Sequence, residues 1–148
     1  MNQKTIPRGF RNNNPCNIRK GGNWQGLDTP PDDGEFCRFT SLAYGFRAAL
    51  KLLRTYYNKY GLRTVDSIIR RWAPESENNT AYYIRIVATS AKVTPKMYLP
   101  DFAIAKTMWV NILVTMAQVE NGVDTYDESY LKLKATEGYE MLYPDVEN

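Results

Sequence analysis

The sequence of 148 residues contains no histidine, and this restricts the catalytic chemistry open to the protein. Ser-His-Asp and Cys-His catalysis need an imidazole, and so do zinc sites built on that group. An enzyme of this composition must rely mainly on carboxylates, or on Lys, Tyr or Cys side chains. Paired carboxylates are the catalytic groups of glycosidases. The acidic residues are therefore the first candidates for a site.

Three acidic residues stand close together just before an apolar segment, at Asp32, Asp33 and Glu35. Like charges in a cleft raise the pKa of one carboxyl, which suits a general acid at neutral pH. Composition alone favours the alternative, a solvated acidic turn. Asp33 and Glu35 are our candidates for the second carboxylate of a catalytic pair.

Two further glutamates lie beside aromatic or apolar segments. Glu77 precedes a predicted helix, with Trp72 and Tyr83 on either side of it in the chain. It is either a carboxylate at the lip of a groove or a charge that complements the helix dipole. Glu120 ends a predicted buried helix, where the dipole disfavours a negative charge and the pKa is expected to rise. The alternative is that Glu120 turns outward into water.

An asparagine-rich segment near the start offers a candidate binding surface. The stretch from Arg8 to Arg19 contains four asparagines with flanking arginines, and Trp24 follows it. Amides beside an aromatic plane suit a sugar, which has hydroxyls on its edges and CH groups on its faces. Composition favours the alternative, a loop in which the asparagines bond their own backbone.

Turn-forming residues dominate the first forty positions, where we expect at most a small hairpin, with candidate strands at Asn17–Arg19 and Phe36–Phe39. Helical periodicity follows. Thr40-Ser41 caps a helix whose apolar face is Phe46, Leu50, Leu53 and Tyr57, and which ends at Gly61. Further helices are predicted after Thr64, after Asn79-Thr80, over Asp101–Glu120 and over Ser129–Met141. In the helix predicted over Asp101–Glu120, the apolar residues are Ile104, Met108, Trp109, Ile112, Leu113 and Met116.

These elements predict a mainly α, lysozyme-like α+β fold, with a helical bundle around a buried central helix and a loop-rich N-terminal region. The length fits a single domain over residues 1–148. No metal-ligand cluster is visible, so we expect no metal and no cofactor. The longest apolar stretch, near Met108 to Ala117, is too short for a membrane span. Nothing in the sequence predicts an oligomeric state.

The ordered motifs of the chain resemble a family of phage and prophage proteins, described as lysozyme-like peptidoglycan hydrolases or virion structural proteins. The matching blocks are Arg8–Pro15 with Asn17–Arg19, Trp24-x-Gly26, Phe36-x-x-Phe39, Tyr44–Ala48, and Trp72–Pro74 with Glu77-Asn78-x-Thr80-x-x-Tyr83. A further block, Met116-Ala117-x-x-Glu120-Asn121-Gly122, resembles the closing motif of a related subgroup from gut bacteria. The family usually has a small residue, often glycine, where Cys16 stands.

The resemblance implies a muramidase or lytic transglycosylase that acts on peptidoglycan glycan strands. Glu77 is the expected general acid, with Asp33 or Glu35 as the second group. The expected substrate-binding residues are Asn12, Asn14, Trp24, Arg47, Trp72 and Tyr83. The start of the chain has no apolar h-region. We therefore expect synthesis in the cytoplasm without a signal peptide, and action at the cell wall as a virion component or after holin-type release.

Two other functions compete with this prediction. A non-catalytic wall-binding or virion structural protein could use the same scaffold, since a fold does not determine a function. An exposed Glu77 that only caps its helix, with no facing acid, would favour that alternative. A nucleic-acid partner is not expected, because the net charge is only +3 and no binding motif is present. Cys16 and Cys37 either form one bridge or are buried thiols, and a cytoplasmic product would keep them free.

Overall fold

The structure is a computed structural model that describes residues 5–145. The first four residues belong to the N-terminal segment for which no signal peptide is predicted, and they lie outside the described range. Helices dominate, and one small antiparallel sheet precedes the long helices. The elements in chain order are α1 Arg8–Arg11, β1 Leu27–Asp32, β2 Cys37–Phe39, α2 Leu42–Lys59, α3 Val65–Trp72, α4 Thr80–Ala91, a 3-10 turn Phe102–Ile104, α5 Lys106–Asn121 and α6 Glu128–Leu142. The mainly α class with a small β part is confirmed.

The first long helices begin at the caps that the sequence predicts. The Ser41 hydroxyl accepts a hydrogen bond from the Tyr44 backbone N–H at the start of α2. Thr64 and Ser67 form a reciprocal capping box at the start of α3. The predicted apolar face of α2 is confirmed, because its four residues Phe46, Leu50, Leu53 and Tyr57 are buried.

The central helix is shorter than predicted. The Asp101 carboxylate accepts from the Ala103 N–H and starts a 3-10 turn, and the backbone of Ala105 (φ −135°, ψ 55°) separates that turn from α5. Ile104 lies outside the helix and is 77% exposed, so its predicted place on the buried stripe is wrong. Trp109 and Ile112 are buried as expected, which confirms α5 as a core helix.

The last helix packs directly on α2. The predicted range for α6 is confirmed to within one residue at each end, and Leu131, Ala135 and Tyr139 are fully buried on it. Gly138 lies at the closest approach, where an added Cβ would be 2.7 Å from the Ala43 carbonyl oxygen. Only a residue without a side chain allows the two backbones to approach this closely.

The sheet differs from the predicted hairpin in one strand. β2 lies within the predicted segment, and its partner is β1, which contains Pro30 and Pro31. Arg19 contributes a single bridge to Phe36 rather than a strand. The prolines led us to predict a turn, but they are tolerated here because β1 is an exposed edge strand whose N–H groups need not all be paired.

The N-terminal loop rests on the first turn of α2. A Cβ added at Gly45 would lie 2.0 Å from the Asn13 carbonyl oxygen and 2.6 Å from Pro15 Cδ. The loop therefore sits against the bare backbone of the helix at this point.

We expect Gly45→Ala to destabilise the protein, although alanine is the better helix former by about 1 kcal/mol. The new methyl would overlap a backbone carbonyl that cannot rotate away, and overpacking of this kind costs roughly 1–3 kcal/mol. Urea unfolding measures the change. Thr55→Ala, on the exposed face of the same helix, should be neutral or slightly stabilising. A stabilised Gly45→Ala variant would contradict the close contact.

We expect Ile112→Asp to prevent folding, because it places an unpaired carboxylate in the core at a cost of several kcal/mol. Ile104→Asp is the matched control, since Ile104 is 77% exposed and Ile112 only 2%. Circular dichroism on heating should show a cooperative transition for the control alone. A cooperative transition in Ile112→Asp would show that the core assignment is wrong.

Candidate functional site

A groove lies between the N-terminal loop and the helices, and it has two adjoining compartments of about 360 Å³ each. Asn17, Arg19 and Trp72 line both compartments. The first is mainly apolar and is also lined by Ile18, Gly22, Trp24, Leu52 and Tyr56. The second is polar and is also lined by Cys16, Phe36, Ala73, Glu77, Asn78 and Glu120.

The half-buried carboxyl of Glu120 lies in the polar compartment, at the C-terminal end of α5. Its Oε1 accepts from Asn17 Nδ2 at 3.0 Å, and its Oε2 accepts from the Tyr83 hydroxyl at 3.0 Å. Burial raises the pKa of Glu120, and the two hydrogen bonds oppose that rise by favouring the charged form. The expected direction of the shift is confirmed, but burial rather than the helix dipole is its main cause.

The asparagine-rich loop is held in place by its own side chains. Asn14 Nδ2 donates to the carbonyl oxygens of Ile18 and Cys37 at 2.9 and 3.0 Å, and Asn14 Oδ1 accepts from the Ile18 N–H at 2.9 Å. Asn121 Nδ2 donates to the Pro15 carbonyl at 2.7 Å and so joins the loop to the end of α5. This arrangement brings Asn17 against Glu120.

Asp33 and Glu35 belong to an ion-pair cluster and do not line the groove. Arg8 binds Asp33 through Nε at 2.7 Å and Glu35 through Nη1 at 2.7 Å, and Arg19 Nη1 binds the other Glu35 oxygen at 3.0 Å. The Arg8 guanidinium is the largest cause that lowers the pKa of Asp33, and those of Arg19 and Arg8 lower the pKa of Glu35. For Asp33 and Glu35 the predicted rise by mutual repulsion is wrong, because each of these two acids has a cationic partner.

Glu77 lies in the polar compartment with Glu120, and its side chain is exposed. It does not cap α4. The Asn79 side chain performs that function by accepting from the Tyr82 N–H at 3.2 Å. The structure therefore places Glu77 in a groove with a second acid, with its own side chain open to solvent.

The predicted substrate-binding residues separate into two groups. Trp24 and Trp72 line the groove, and the buried Tyr83 reaches it only through Glu120. Asn12 and Asn14 are buried and support the loop, with Asn12 Nδ2 donating to Asp33 Oδ2 at 2.9 Å. Arg47 is half-buried on α2 next to Gly138 and away from the groove. Asn12 and Asn14 thus hold the loop, and neither they nor Arg47 line the groove.

Sequence reasoning missed Tyr56 and did not assign Arg19 a place in the groove. Tyr56 lies on α2 beside the buried face, and its ring meets that of Trp72 edge-on at 6.0 Å between centroids. The only feature of the sequence that could have indicated Tyr56 as a groove residue is its place next to Tyr57, at the edge of the apolar face of α2. Arg19 belongs to one of the motifs described above. Its guanidinium carbon lies 5.2 Å from the centroid of the Phe36 ring, and a contact between residues this far apart in the chain could not be predicted from local sequence.

Cys16 and Cys37 are both buried free thiols, as expected for an unbridged pair. Burial raises the pKa of each thiol. Between residues 5 and 145 no group of His, Cys, Asp and Glu side chains has the arrangement of a metal site. Within the same range no helix has the length and apolar character needed to span a bilayer.

We expect Glu120→Gln to become more stable relative to the wild type as the pH rises. The raised pKa means that the protonated carboxyl contributes stability fully below its unfolded value of about 4.3, and that this contribution is lost as the pH rises through the folded value. Glutamine keeps the shape without the charge. Urea midpoints at about pH 4 and about pH 8 measure the difference.

Glu77→Gln is the matched control, because the same change at an exposed side chain of the same groove removes no buried charge. As an exposed-surface substitution, it should change the urea midpoint only slightly at either pH. An equally small effect of Glu120→Gln at both pH values would contradict the burial of that carboxyl.

Comparison with known proteins connects the chain to a phage. No protein-family model matches the sequence. Protein P5 of Pseudoalteromonas phage PM2 is 39% identical over 127 residues, an alignment that covers 82% of this chain and 76% of P5. Identity at this level over most of both chains is sufficient to establish common descent. The chain belongs to the same family as Protein P5 of phage PM2.

Proposed function

We propose that this protein cleaves the glycan strands of peptidoglycan, with Glu120 as the general acid. The observation that carries the proposal is the half-buried Glu120 carboxyl, whose pKa is raised by burial at the polar end of an aromatic-walled groove. A general acid must hold its proton near neutral pH and release it to a leaving group. Among the acids lining the groove in residues 5–145, Glu120 is the one that burial protects.

In the proposed reaction the Glu120 proton passes to the glycosidic oxygen as the bond from that oxygen to the anomeric carbon breaks. Positive charge develops on the sugar, and a carboxylate or a group of the substrate itself stabilises it. Glu77 is the available carboxylate, because it lines the same compartment. Water then adds to the anomeric carbon in a muramidase, whereas a sugar hydroxyl closes an anhydro ring in a lytic transglycosylase. In either case the attacking oxygen gives its proton to the Glu120 carboxylate, which restores the acid.

The hydrogen bonds to Glu120 support this role. The Tyr83 hydroxyl and the Asn17 amide each hold one oxygen of the carboxyl, so the group has a fixed orientation toward the groove. Both donors also stabilise the carboxylate that remains after the proton is transferred. Asn17 and Tyr83 are therefore positioning residues in this proposal.

The other walls suit a sugar chain. Trp24, Tyr56 and Trp72 present aromatic surface in the apolar compartment, where CH faces of sugar rings can pack. Asn17 offers an amide at the junction of the compartments. The relation to a phage protein agrees with a bacterial wall as the target. We propose a lysozyme-like fold, and action as a virion component or after holin-type release.

One observation favours a second candidate, a wall-binding or virion structural protein without catalysis. Glu77, the acid expected from the motif, is exposed to solvent. A groove that binds glycan with Trp24 and Trp72 would serve such a protein equally well. The enzyme would release soluble fragments from peptidoglycan, whereas the non-catalytic protein would bind it without releasing any.

We expect the wild type to release soluble fragments from purified peptidoglycan, and Glu120→Gln to lower the rate by about 100-fold to 10,000-fold, the range for loss of a general acid. Mass spectrometry identifies the products. Reducing muropeptides would indicate hydrolysis, and anhydro sugars would indicate transglycosylation.

Glu75→Gln is the control, because Glu75 is exposed, pairs with Arg70 and does not line the groove. It should retain wild-type activity. Full activity in Glu120→Gln would remove Glu120 from the mechanism. An absence of products from the wild type on walls of several types, with retained binding to those walls, would establish the second candidate instead.

A further inference from the structure

We propose that Arg19 makes the groove selective for a glycan that carries carboxylates over a neutral one. This inference rests on the proposed function of the same groove and adds the residue that selects the charge of the substrate. Peptidoglycan carries carboxylates on its muramic acid or on its stem peptides, whereas chitin is an uncharged polymer of similar sugars. A cation in the groove would distinguish the two.

Arg19 is the only cation that lines the groove within residues 5–145, and it lines both compartments. The other charged residues lining the groove there are Glu77 and Glu120. A substrate carboxylate would be repelled by ionised acid in the polar compartment. At the junction of the two compartments, the same carboxylate would meet the positive charge of Arg19. Arg19 therefore determines how an anionic strand is placed along the groove.

The guanidinium of Arg19 is held in position before any substrate arrives. Its Nη1 donates to Glu35 at 3.0 Å, and its guanidinium carbon lies over the Phe36 ring. Arg8 lies over the same ring, 4.6 Å from the centroid, and shares Glu35. Glu35 thus has a positioning function in place of the catalytic one that the sequence predicts.

These contacts leave part of the guanidinium open to the groove. The Arg19 side chain remains 63% exposed although it is ion-paired. Glu120 takes its two side-chain hydrogen bonds from Asn17 and Tyr83, so Arg19 is not engaged with the proposed acid. A planar guanidinium with free N–H groups matches the geometry of a carboxylate.

The test compares peptidoglycan before and after its carboxylates are coupled to methylamine, which removes their charge and leaves the sugar backbone intact. We expect the wild type to prefer the charged material by about tenfold or more in kcat/KM, as for the loss of one charge-assisted hydrogen bond. Arg19→Gln should abolish this preference by lowering the rate on the charged substrate. Arg19→Lys, which keeps the charge, should restore much of it.

Lys20→Gln is the matched control, because Lys20 is the adjacent exposed cation and does not line the groove. It removes the same net charge and should keep the preference. Binding of soluble muropeptide oligosaccharides to Glu120→Gln, followed by fluorescence of Trp24 and Trp72, gives a readout that needs no turnover. Adding Arg19→Gln to that variant should weaken the binding of the charged oligosaccharide by about tenfold or more.

The outcomes separate this inference from the proposed function. Equal cleavage of charged and neutralised peptidoglycan by the wild type would overturn the role of Arg19 and leave the glycosidase proposal standing. If Lys20→Gln lost the preference for charged peptidoglycan as fully as Arg19→Gln, the cause would be the net charge of the protein, and the role of Arg19 would also be overturned. Binding that prefers charged oligosaccharide and needs Arg19, without any cleavage, would support Arg19 and reject catalysis.

Discussion

The docking of the N-terminal loop against the C-terminal end of α5 is the contact on which the groove depends. It is made by buried amides: Asn14 satisfies backbone groups of Ile18 and Cys37, and Asn121 holds the Pro15 carbonyl. Polar groups removed from water must find partners or cost several kcal/mol, so the network specifies one position for the loop. Gly45 allows the same loop to lie on α2 from the other side. One wall of the groove is therefore a loop that buried hydrogen bonds hold against the helices.

Glu120 and Asp33 show how the same functional group acquires opposite properties within one small protein. Asp33 accepts hydrogen bonds from Arg8, Asn12 and two backbone N–H groups, and its pKa falls. Glu120 is held by a phenol and an amide, which carry no positive charge, and burial dominates. The arginines of the loop thus neutralise Asp33 and Glu35 outside the groove, whereas Glu120 inside it has no cationic partner among residues 5–145. That separation gives the groove a protonatable carboxyl.

The groove combines surfaces from elements that are distant in the sequence. Trp24 comes from the segment before β1, Tyr56 from α2 and Trp72 from the end of α3, while Glu120 ends α5. Aromatic surface fills one compartment, acids occupy the other, and Arg19 stands at the junction. In the proposed function, the apolar sugar faces of the polymer pack on the aromatic surface, its carboxylates meet Arg19, and its glycosidic oxygen takes the proton of the buried acid. The same physical account thus covers the proposed acid and the proposed selectivity.

Local sequence determined the helices and much of the groove wall. Caps at Ser41 and Thr64 and the apolar spacing after them are properties of neighbouring residues, so they could be read without a structure. The exclusion of imidazole chemistry and the choice of Trp24, Trp72 and Glu77 came from composition and motif in the same way, and all three residues line the groove. The break at Ala105 and the proline-containing β1 were missed, because weak local signals there are outweighed by packing.

Only the tertiary structure decided which acid is buried and which is paired. Asp33 and Glu35 appear as a repelling cluster in the sequence, yet Arg8 binds both from 25 and 27 residues away. The pKa of Asp33 is lowered mainly by Arg8, and that of Glu35 by Arg19 and Arg8. Glu120 differs from Glu77 in burial, which depends on a loop more than one hundred residues earlier in the chain. A pKa is set by everything within a few ångströms of the group. The sequence therefore identified the candidate carboxyls, but only the tertiary structure determined which of them is buried and which is ion-paired.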